Sequence, residues 1–370
     1  MKLVALPKKV LRTWARLPRD MRSIYRMVND PRLSRSYYPA EKRKSKLHIY
    51  TDLFLWRLRY REVNSYYYLY GLDRAHGVDM GEYLPYNLFR SIRDHRNQHP
   101  DGKLGYSYVC LLRDKFVFAQ FASSLGCPTP RNLAFCTRSA ITWLDQKREV
   151  SLESVLQDQN TEIDVFCKSL TGMGGTEVFP LRTSDGKIFV DGHETTLEQL
   201  KAKLDGVYLL QQPIQQHPQM SALHPQSINS IRLGTFNNGE KAQPFWAALK
   251  IGTGGNRVDN VALGGIAVRI DLTSGRLQGD GMFLPGREGS VPRHPDTDIP
   301  FDGFEIPYFH EAVQAALDLH GYLYHVHSIG WDIGITEAGP VIIEGNDDWA
   351  GHFAMAFVPN FRSRFLEIVG

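Results

Sequence analysis

The chain has 370 residues, 42% of them hydrophobic and 22% charged, with a formal net charge of +3. That composition is ordinary for a globular protein, and the length asks for two or three domains or lobes. No apolar run reaches the ~18 to 20 residues of a membrane span, the N-terminal segment lacks a signal peptide's uninterrupted apolar core, and Cys110, Cys127, Cys136 and Cys167 form no C-x-x-C pair and read as reduced thiols of a cytosolic protein.

The charge is unevenly spread. Residues 1–50 hold 14 Lys and Arg against 3 Asp and Glu, and the remainder holds 29 against 37. A basic arm on a mildly acidic body predicts an anionic surface partner. Over residues 8–28, Val10, Trp14, Leu17, Met21, Ile24 and Val28 recur at steps of four and three, which is one helical face. Arg12, Arg16, Arg19, Arg22 and Arg26 lie around it, and Pro18 kinks or divides it. Two readings follow: an interfacial helix on anionic lipid, or a helix packed on the body with its arginines in water.

Residues 47–99 read as mainly helical and rich in aromatics. Basic residues mixed with aromatics suit single-stranded nucleic acid. Here the tyrosines cluster at 66–70 instead of alternating with basic residues, so packing in a core or interface is the better reading and no nucleic-acid partner is expected. "LLRDKFVFAQFASSLGCPTP" reads as a helix ended by Gly126, with Pro128 and Pro130 beyond. Strand-like runs follow at 163–168, 207–211, 230–236, 244–251, 264–271, 329–335 and 340–344, with helices at 151–158, 196–204 and 306–319. Strands and helices mix without regular βαβ alternation, which predicts α+β lobes with antiparallel sheets. The longest loop candidate is 279–304.

Three stretches carry chemistry. In "FCKSLTGMGGTEVF" a strand delivers Lys168 and a loop follows with Gly172, Gly174 and Gly175. Glycines let backbone N–H groups approach phosphate oxygens, and the lysine adds a point charge. The stretch is neither a Walker A loop nor G-x-G-x-x-G, and a plain glycine-rich hairpin turn has the same composition.

The second is "GWDIGITEAGPVIIEGNDDW", residues 330–349. Two apolar strands each hold an acid. If Glu337-Ala338-Gly339 forms a three-residue hairpin loop, Thr336 faces Pro340, Gly334 faces Ile342 and Asp332 faces Glu344. Asn346 then follows on the same face. Two facing carboxylates repel and are costly to bury. A divalent cation resolves that conflict, and an all-oxygen donor set of Asp332, Glu344 and Asn346 suits Mg²⁺. A shared proton or a solvated face are the alternatives. Asp347, Asp348 and Trp349 lie just beyond and are placed at the substrate's border.

The third is "LLQQPIQQHPQMSALHPQSINSIRLGTF", in which a strand runs into a polar segment and a second strand brings Asn229 and Arg232. An arginine entering a sheet needs an anion, either a ligand or a salt-bridge partner. Further on, Lys250 ends a strand ahead of Asn260 and the Gly264-Gly265 pair. His325 and His327 are spaced to share a strand face, but no third zinc ligand accompanies them. The nucleophile elbow and the kinase signature pair are both absent from the sequence.

Taken in order, "DKFVFAQFASSLGCPTP", "CKSLTGMGG", "QQPIQQHPQM…SINSIRLGTF", "VDNVALGGIAVRID" and "GWDIGITEAGPVIIEGN" resemble the ATP-grasp superfamily. The nearer resemblance is to its sugar-transfer-associated group, related to glutamate ligases of the RimK type. It implies an ATP-grasp fold in which two lobes with antiparallel sheets clasp ATP, here after a helical basic region. The expected domains are residues 1–100, the N-terminal ATP-grasp lobe at 101–210 and the C-terminal lobe at 211–370. The resemblance implies that Lys115 and Lys168 contact the phosphates of ATP and that Gly172, Gly174 and Gly175 close over them. Gln211, Gln212, Pro213 and Ile214 would meet the adenine through their backbone, with Gln215 near the ribose. Asp332, Glu344 and Asn346 would hold Mg²⁺, Arg232 and Lys250 would neutralise the transferring phosphoryl group, and Asn260 would assist metal or substrate binding.

The activity implied is ligation of a carboxylate to an amine through an acylphosphate, on a sugar, polysaccharide precursor or related small molecule. A small-molecule kinase is one alternative. A non-catalytic nucleotide-binding partner of a glycosyltransferase, docked by residues 1–50 at the inner face of a membrane, is another.

Overall fold

The computed structural model describes residues 16–98, 107–158, 162–170, 178–256 and 259–369. Val10, Trp14, Gly172, Gly174 and Gly175, singled out in the sequence, lie outside them.

Helix α1 (Leu17–Asn29) takes Pro18 into its first turn, where a missing N–H costs no helical bond. Pro18 therefore starts the helix and does not kink it. Ile24, Met27 and Val28 are buried with Ile49 and Leu53 of α2 (Lys46–Tyr60), and the Arg57 Nε donates to Asp20 at 2.7 Å. Ile24 and Val28 of the apolar face that lipid would need on α1 are thus taken up by the protein's own core, while Met21 stays exposed. Helix α3 (Tyr86–Gln98) is capped from outside: the Glu62 carboxylate accepts the N–H of Tyr86 at 2.6 Å and of Asn87 at 3.1 Å.

The helix expected before Gly126 is two helices, α4 (Cys110–Arg113) and α5 (Lys115–Ser124). Asp114 breaks it by turning its carboxylate onto the N–H groups of Phe116 and Val117, both at 2.9 Å. Lys115 is thus the first residue of α5. Gly126 supplies the left-handed φ of +76° that ends it.

The first sheet contains β1 (Asn132–Cys136), β2 (Ala140–Trp143), β3 (Arg148–Ser151), β4 (Asp164–Ser169), β5 (Val178–Ser184), β6 (Lys187–Val190), β7 (His193–Thr195) and β8 (Tyr208–Gln211). Helices α6 (Leu152–Gln157) and α7 (Leu197–Lys203) interrupt it. The strand order is β3-β2-β1-β8-β4-β5-β6-β7, antiparallel throughout. One face holds a small core of Ala134, Val165, Cys167, Leu181 and Leu210. Phe166 and Lys168 point to the other face, as the period of two requires.

After α8 (Pro218–Leu223) comes the second sheet: β9 (Ser230–Asn237), β10 (Ala242–Ile251), β11 (Ile266–Ile270), β12 (Leu277–Met282), β13 (Ser290–Val291), β14 (Ser328–Thr336) and β15 (Gly339–Asn346). Its order is β13-β12-β11-β10-β9-β14-β15, again all antiparallel. The stretch expected as a loop, 279–304, thus holds part of β12 and all of β13. Helix α9 (Phe309–Tyr322) lies across β9, β10, β14 and β15, closing a core with Ile231, Leu233, Leu249, Trp331, Ile333 and Ile342. Val109, Leu112, Phe118 and Ala122 of the α4–α5 region join this core, so packing assigns them to the second sheet, not to the lobe expected from residue 101. The chain ends in α10 (His352–Phe357) and α11 (Phe361–Val369), whose Phe361 and Phe365 are buried with Phe89 of α3. This is the α+β architecture that the resemblance implies: two antiparallel sheets preceded by a helical region.

Candidate active site

The site begins with register. The turn between β14 and β15 is two residues, because Thr336 pairs with Gly339, Ile335 with Pro340 and Ile333 with Ile342. Continued regularly, that register would set Asp332 opposite Ile343 and turn Glu344 into the apolar core beside Trp331. A bulge at Ile343 prevents this: the next pairs are Asp332 with Glu344 and Gly330 with Asn346. The facing acids expected from the sequence are present, but a bulge produces them and not a three-residue loop.

The row extends across four strands. Asp332 pairs with Arg232 on β9, and Arg232 pairs with Ala248 on β10. Two residues further along β10 stands Lys250, opposite Ser230. Lys250, Arg232, Asp332, Glu344 and Asn346 therefore share the face turned away from α9.

Their contacts are dense. Arg232 grips Asp332 with both prongs, Nε to Oδ1 at 2.7 Å and Nη2 to Oδ2 at 2.9 Å. The Lys250 ammonium lies 3.1 Å from Asp332 and 3.6 Å from Asp259. Asp259 also accepts the Ser230 N–H at 3.0 Å and the Ser230 hydroxyl. Asn346 donates to Glu344 Oε1 at 3.2 Å and to the Gly330 carbonyl at 3.3 Å. Burial alone would raise the pKa of Asp332, but Arg232 and Lys250 outweigh it and hold the carboxyl below its ordinary range.

The first sheet contributes Lys168. Burial pulls its pKa down, the charge of Glu344 opposes that, Lys115 adds to the fall, and Asp332 and Asp259 resist it. A lysine of the first sheet thus feels three carboxylates of the second lobe, two on its sheet and Asp259 in the loop after β10. Beside it on the same face of the first sheet are Phe166 and Leu209, with Gln211 at the strand's end. Gln211 donates its amide to Asn132 Oδ1 at 2.9 Å, and the Gln212 N–H bonds the Arg131 carbonyl at 2.9 Å. Pro213, Ile214 and Gln215 then carry the chain from β8 toward α8 in the second lobe, with Gln215 exposed.

At the other end of the row, Gly330 and Gly234 are glycines for space: a Cβ on either would collide with Trp349 or Trp246. Trp349 does not border a substrate as expected. It is buried, its ring 5.0 Å from Phe89 and its Nε1 donating to Ser328 Oγ at 3.1 Å. Asp347 is likewise buried and is gripped by Arg113 at 3.0 and 2.8 Å. Asn97 of α3 holds the Asp347 carbonyl at 2.7 Å. The segment after the acids anchors the helical region. His352 follows, stacked on Tyr66 at 5.1 Å, and burial with the nearby Arg232 charge pushes its pKa down to about 4.

Sequence reasoning missed Asp259. Its signal was the acid in "VDNVALGG", where attention went to Asn260 instead. Asn260 uses its side chain to cap the turn at Val261–Leu263, accepting the Ala262 N–H at 2.9 Å. His325 and His327 do not form a common site: His325 stacks on Tyr108 at 4.8 Å, and burial, with the charge of Arg96, pushes buried His327 down to about 4.

A divalent cation at this row would draw its oxygen donors from these side chains. Among the described residues no group of three or more His, Cys, Asp or Glu side chains is arranged to hold one. Asp332 already accepts three donors from Arg232 and Lys250, close to the about four a carboxylate takes. Glu344 accepts from Asn346 and is hydrogen-bonded to Asp332, an approach of two carboxylates that a cation would relieve, and among the described residues the Asn346 amide oxygen meets no donor. Glu344 and Asn346, backed by Asp332, therefore suit a hard cation that completes its shell with water and phosphate.

Two antiparallel sheets, with a lysine of one set against the acids of the other, define an ATP-grasp-like fold. The sugar-transfer associated ATP-grasp family model matches residues 104–368, and the chain belongs to that family. Among solved structures, N5-carboxyaminoimidazole ribonucleotide synthetase from Thermotoga maritima is 13% identical, covering 78% of this chain and 56% of that one, with a TM-score of 0.37. D-alanine–D-alanine ligase from Helicobacter pylori is 10% identical, covering 70% of this chain and 58% of that one, with a TM-score of 0.39. The chain thus spans little more than half the length of either. No curated protein sequence matches it.

Proposed function

We propose that the chain is an ATP-dependent carboxylate–amine ligase that modifies a sugar or polysaccharide precursor with an amino acid or a similar group. The observation that carries this reading is that Lys168 of the first sheet lies within electrostatic reach of Glu344, Asp332 and Asp259 of the second lobe. A cleft with cations on both walls around partly free carboxylates suits a polyphosphate. The sugar-linked substrate rests on the family's description.

In this reading Lys115 and Lys168 bind the phosphates, joined by Gly172, Gly174 and Gly175. The backbone of Gln211–Ile214 meets the adenine, which the apolar shelf of Phe166 and Leu209 receives, and Gln215 reaches the ribose. Glu344, Asn346 and Asp332 would hold Mg²⁺, which when bound screens the phosphate charge. Arg232 and Lys250 exchange part of their grip on Asp332 for the transferring phosphoryl group. A substrate carboxylate oxygen attacks the γ-phosphorus, the bond to the bridging oxygen breaks, and ADP leaves an acylphosphate. A neutral amine then attacks the acyl carbon, phosphate departs, and the nitrogen loses a proton to give the amide. Dependence on ATP and the reduced thiols suit the cytoplasm.

The test is release of ADP and free phosphate, measured with amino acids and amino-sugar nucleotides singly and in pairs. The proposal expects both products, in equal amounts, only when a carboxylate and an amine are present together. ADP with a phosphorylated product and no free phosphate would make the chain a kinase. ATP binding without turnover in any pair would leave a nucleotide-binding partner of another enzyme.

A further inference from the structure

Helix α2 has apolar residues on two opposite faces. Ile49, Leu53 and Trp56 are buried on one. On the other, Leu47, Phe54, Leu55 and Leu58 are 75%, 37%, 52% and 48% exposed. At about 100° per residue, Leu47, Phe54 and Leu58 fall within a narrow arc, with Leu55 beside it. Helix α1, packed against α2, also exposes Met21 and Tyr25.

The charge around this stripe is of one sign. Arg16, Arg19, Arg22 and Arg26 are exposed on or beside α1, as are Lys46 and Arg59 on α2. The only acid of α1, Asp20, is held by Arg57, and the only acid of α2, Asp52, is held by Lys44 at 2.7 Å. Asp20 also reaches exposed Arg19 at 3.7 Å, so the two carboxylates of these helices are both engaged and the exposed Arg16, Arg22 and Arg26 of this face have no acid on α1 or α2 beyond them.

We propose that the outer face of α2 docks on the anionic surface of a lipid bilayer. Leucine and phenylalanine side chains would enter the boundary between headgroups and acyl chains, while the arginines and lysine meet lipid phosphates. A second copy of the chain is a poorer occupant, because a symmetric contact would press two basic rims together. The proposal stands apart from the ligase reading. It also moves the lipid contact from the α1 face expected in the sequence, where Ile24 and Val28 are buried, to a helix that the sequence pattern did not distinguish.

The full chain is to be sedimented with vesicles of phosphatidylcholine alone and of equal parts phosphatidylcholine and phosphatidylglycerol. The expected result is binding to the anionic vesicles only. The Leu55→Ser/Leu58→Ser variant should lose roughly tenfold or more of that binding, and Arg22→Glu/Arg26→Glu should lose it as well. ATP binding and the circular dichroism spectrum of both variants should match the parent, which separates lost docking from lost folding. Absence of binding, equal binding to neutral vesicles, or undiminished binding of the leucine variant would overturn the proposal. So would self-association of the parent that Leu55→Ser/Leu58→Ser abolishes, since the face would then join two copies.

Discussion

The two faces of the second sheet are made by the same strands, residue by alternate residue, and they are opposites. Toward α9 lie Ile231, Leu233, Trp331, Ile333 and Ile342, with a short chain of bonded polar groups among them. Trp331 Nε1 donates to Thr235 Oγ1 at 2.8 Å, and Thr235 bonds His320 at 2.7 Å. Toward the first sheet lie Arg232, Lys250, Asp332 and Glu344, whose charges are only partly spent on each other. One face uses burial to hold the fold. The other holds charges in low-dielectric surroundings, where they are worth more to a ligand than they would be in water. The Ile343 bulge is what keeps the two faces apart, because it decides on which side Glu344 and Asn346 emerge.

Trp331→Glu should therefore have the largest effect. It would put an unpaired carboxylate on the α9 side in place of a fully buried indole, and should cost more than ~4 kcal/mol in urea unfolding. A variant of near-parent stability would mean that the α9 face tolerates charge as the cleft face does.

Next in size is Arg232→Ala, which leaves Asp332 buried without its fork and should cost about 3–5 kcal/mol. The pH dependence carries a sign. In the parent the folded pKa of Asp332 is lowered, so its contribution is full above the ordinary carboxylate range and is lost as pH falls through the lowered value. In Arg232→Ala only Lys250 still opposes burial of the Asp332 charge, so the loss of stability with falling pH should be smaller than in the parent. Urea midpoints at several pH values would show a matching trend in both proteins if this pairing were unimportant.

A smaller effect tests both sides of the sheet. His320 on the α9 side and His352 on the cleft side each have a pKa pushed down to about 4, chiefly by burial. Between their unfolded pKa near 6.5 and that value, the unfolded chain binds more protons, so stability falls as pH falls. His352→Gln should flatten that slope by about one proton, read from thermal midpoints across the window. An unchanged slope would show that His352 is charged in the folded protein.

Ile333→Val should do least, about 0.5–1.5 kcal/mol by urea unfolding, with ATP binding unaltered. Altered nucleotide affinity from this change would blur the division between the faces.

Much of this was legible in the sequence because alternation along long strands is a strong signal. The strands carrying Arg232, Asp332 and Glu344 emerged within a few residues of their predicted places. The facing acids were legible too, although the bulge was not, since a bulge and a longer turn give the same pairing. Strands β1–β3 and β5–β7 were missed because most are short and carry charged residues on exposed sides, as in Arg148–Ser151 and His193–Thr195. Asp259 was missed because its value lies in Lys250 and Ser230, which only folding brings to it. Trp349 and Asp347 were misread for the same reason: their partners Phe89 and Arg113 are more than two hundred residues away in sequence.

The central claim is that Lys168 and Glu344, from separate sheets, serve one nucleotide. Calorimetric titration of the parent, Lys168→Ala and Glu344→Gln with ATP, each with and without Mg²⁺, tests it most directly. The account predicts Mg²⁺-dependent binding by the parent, weaker binding by Lys168→Ala, and loss of the Mg²⁺ dependence in Glu344→Gln. Parent protein that binds no ATP, or a Glu344→Gln variant with undiminished Mg²⁺ dependence, would contradict it.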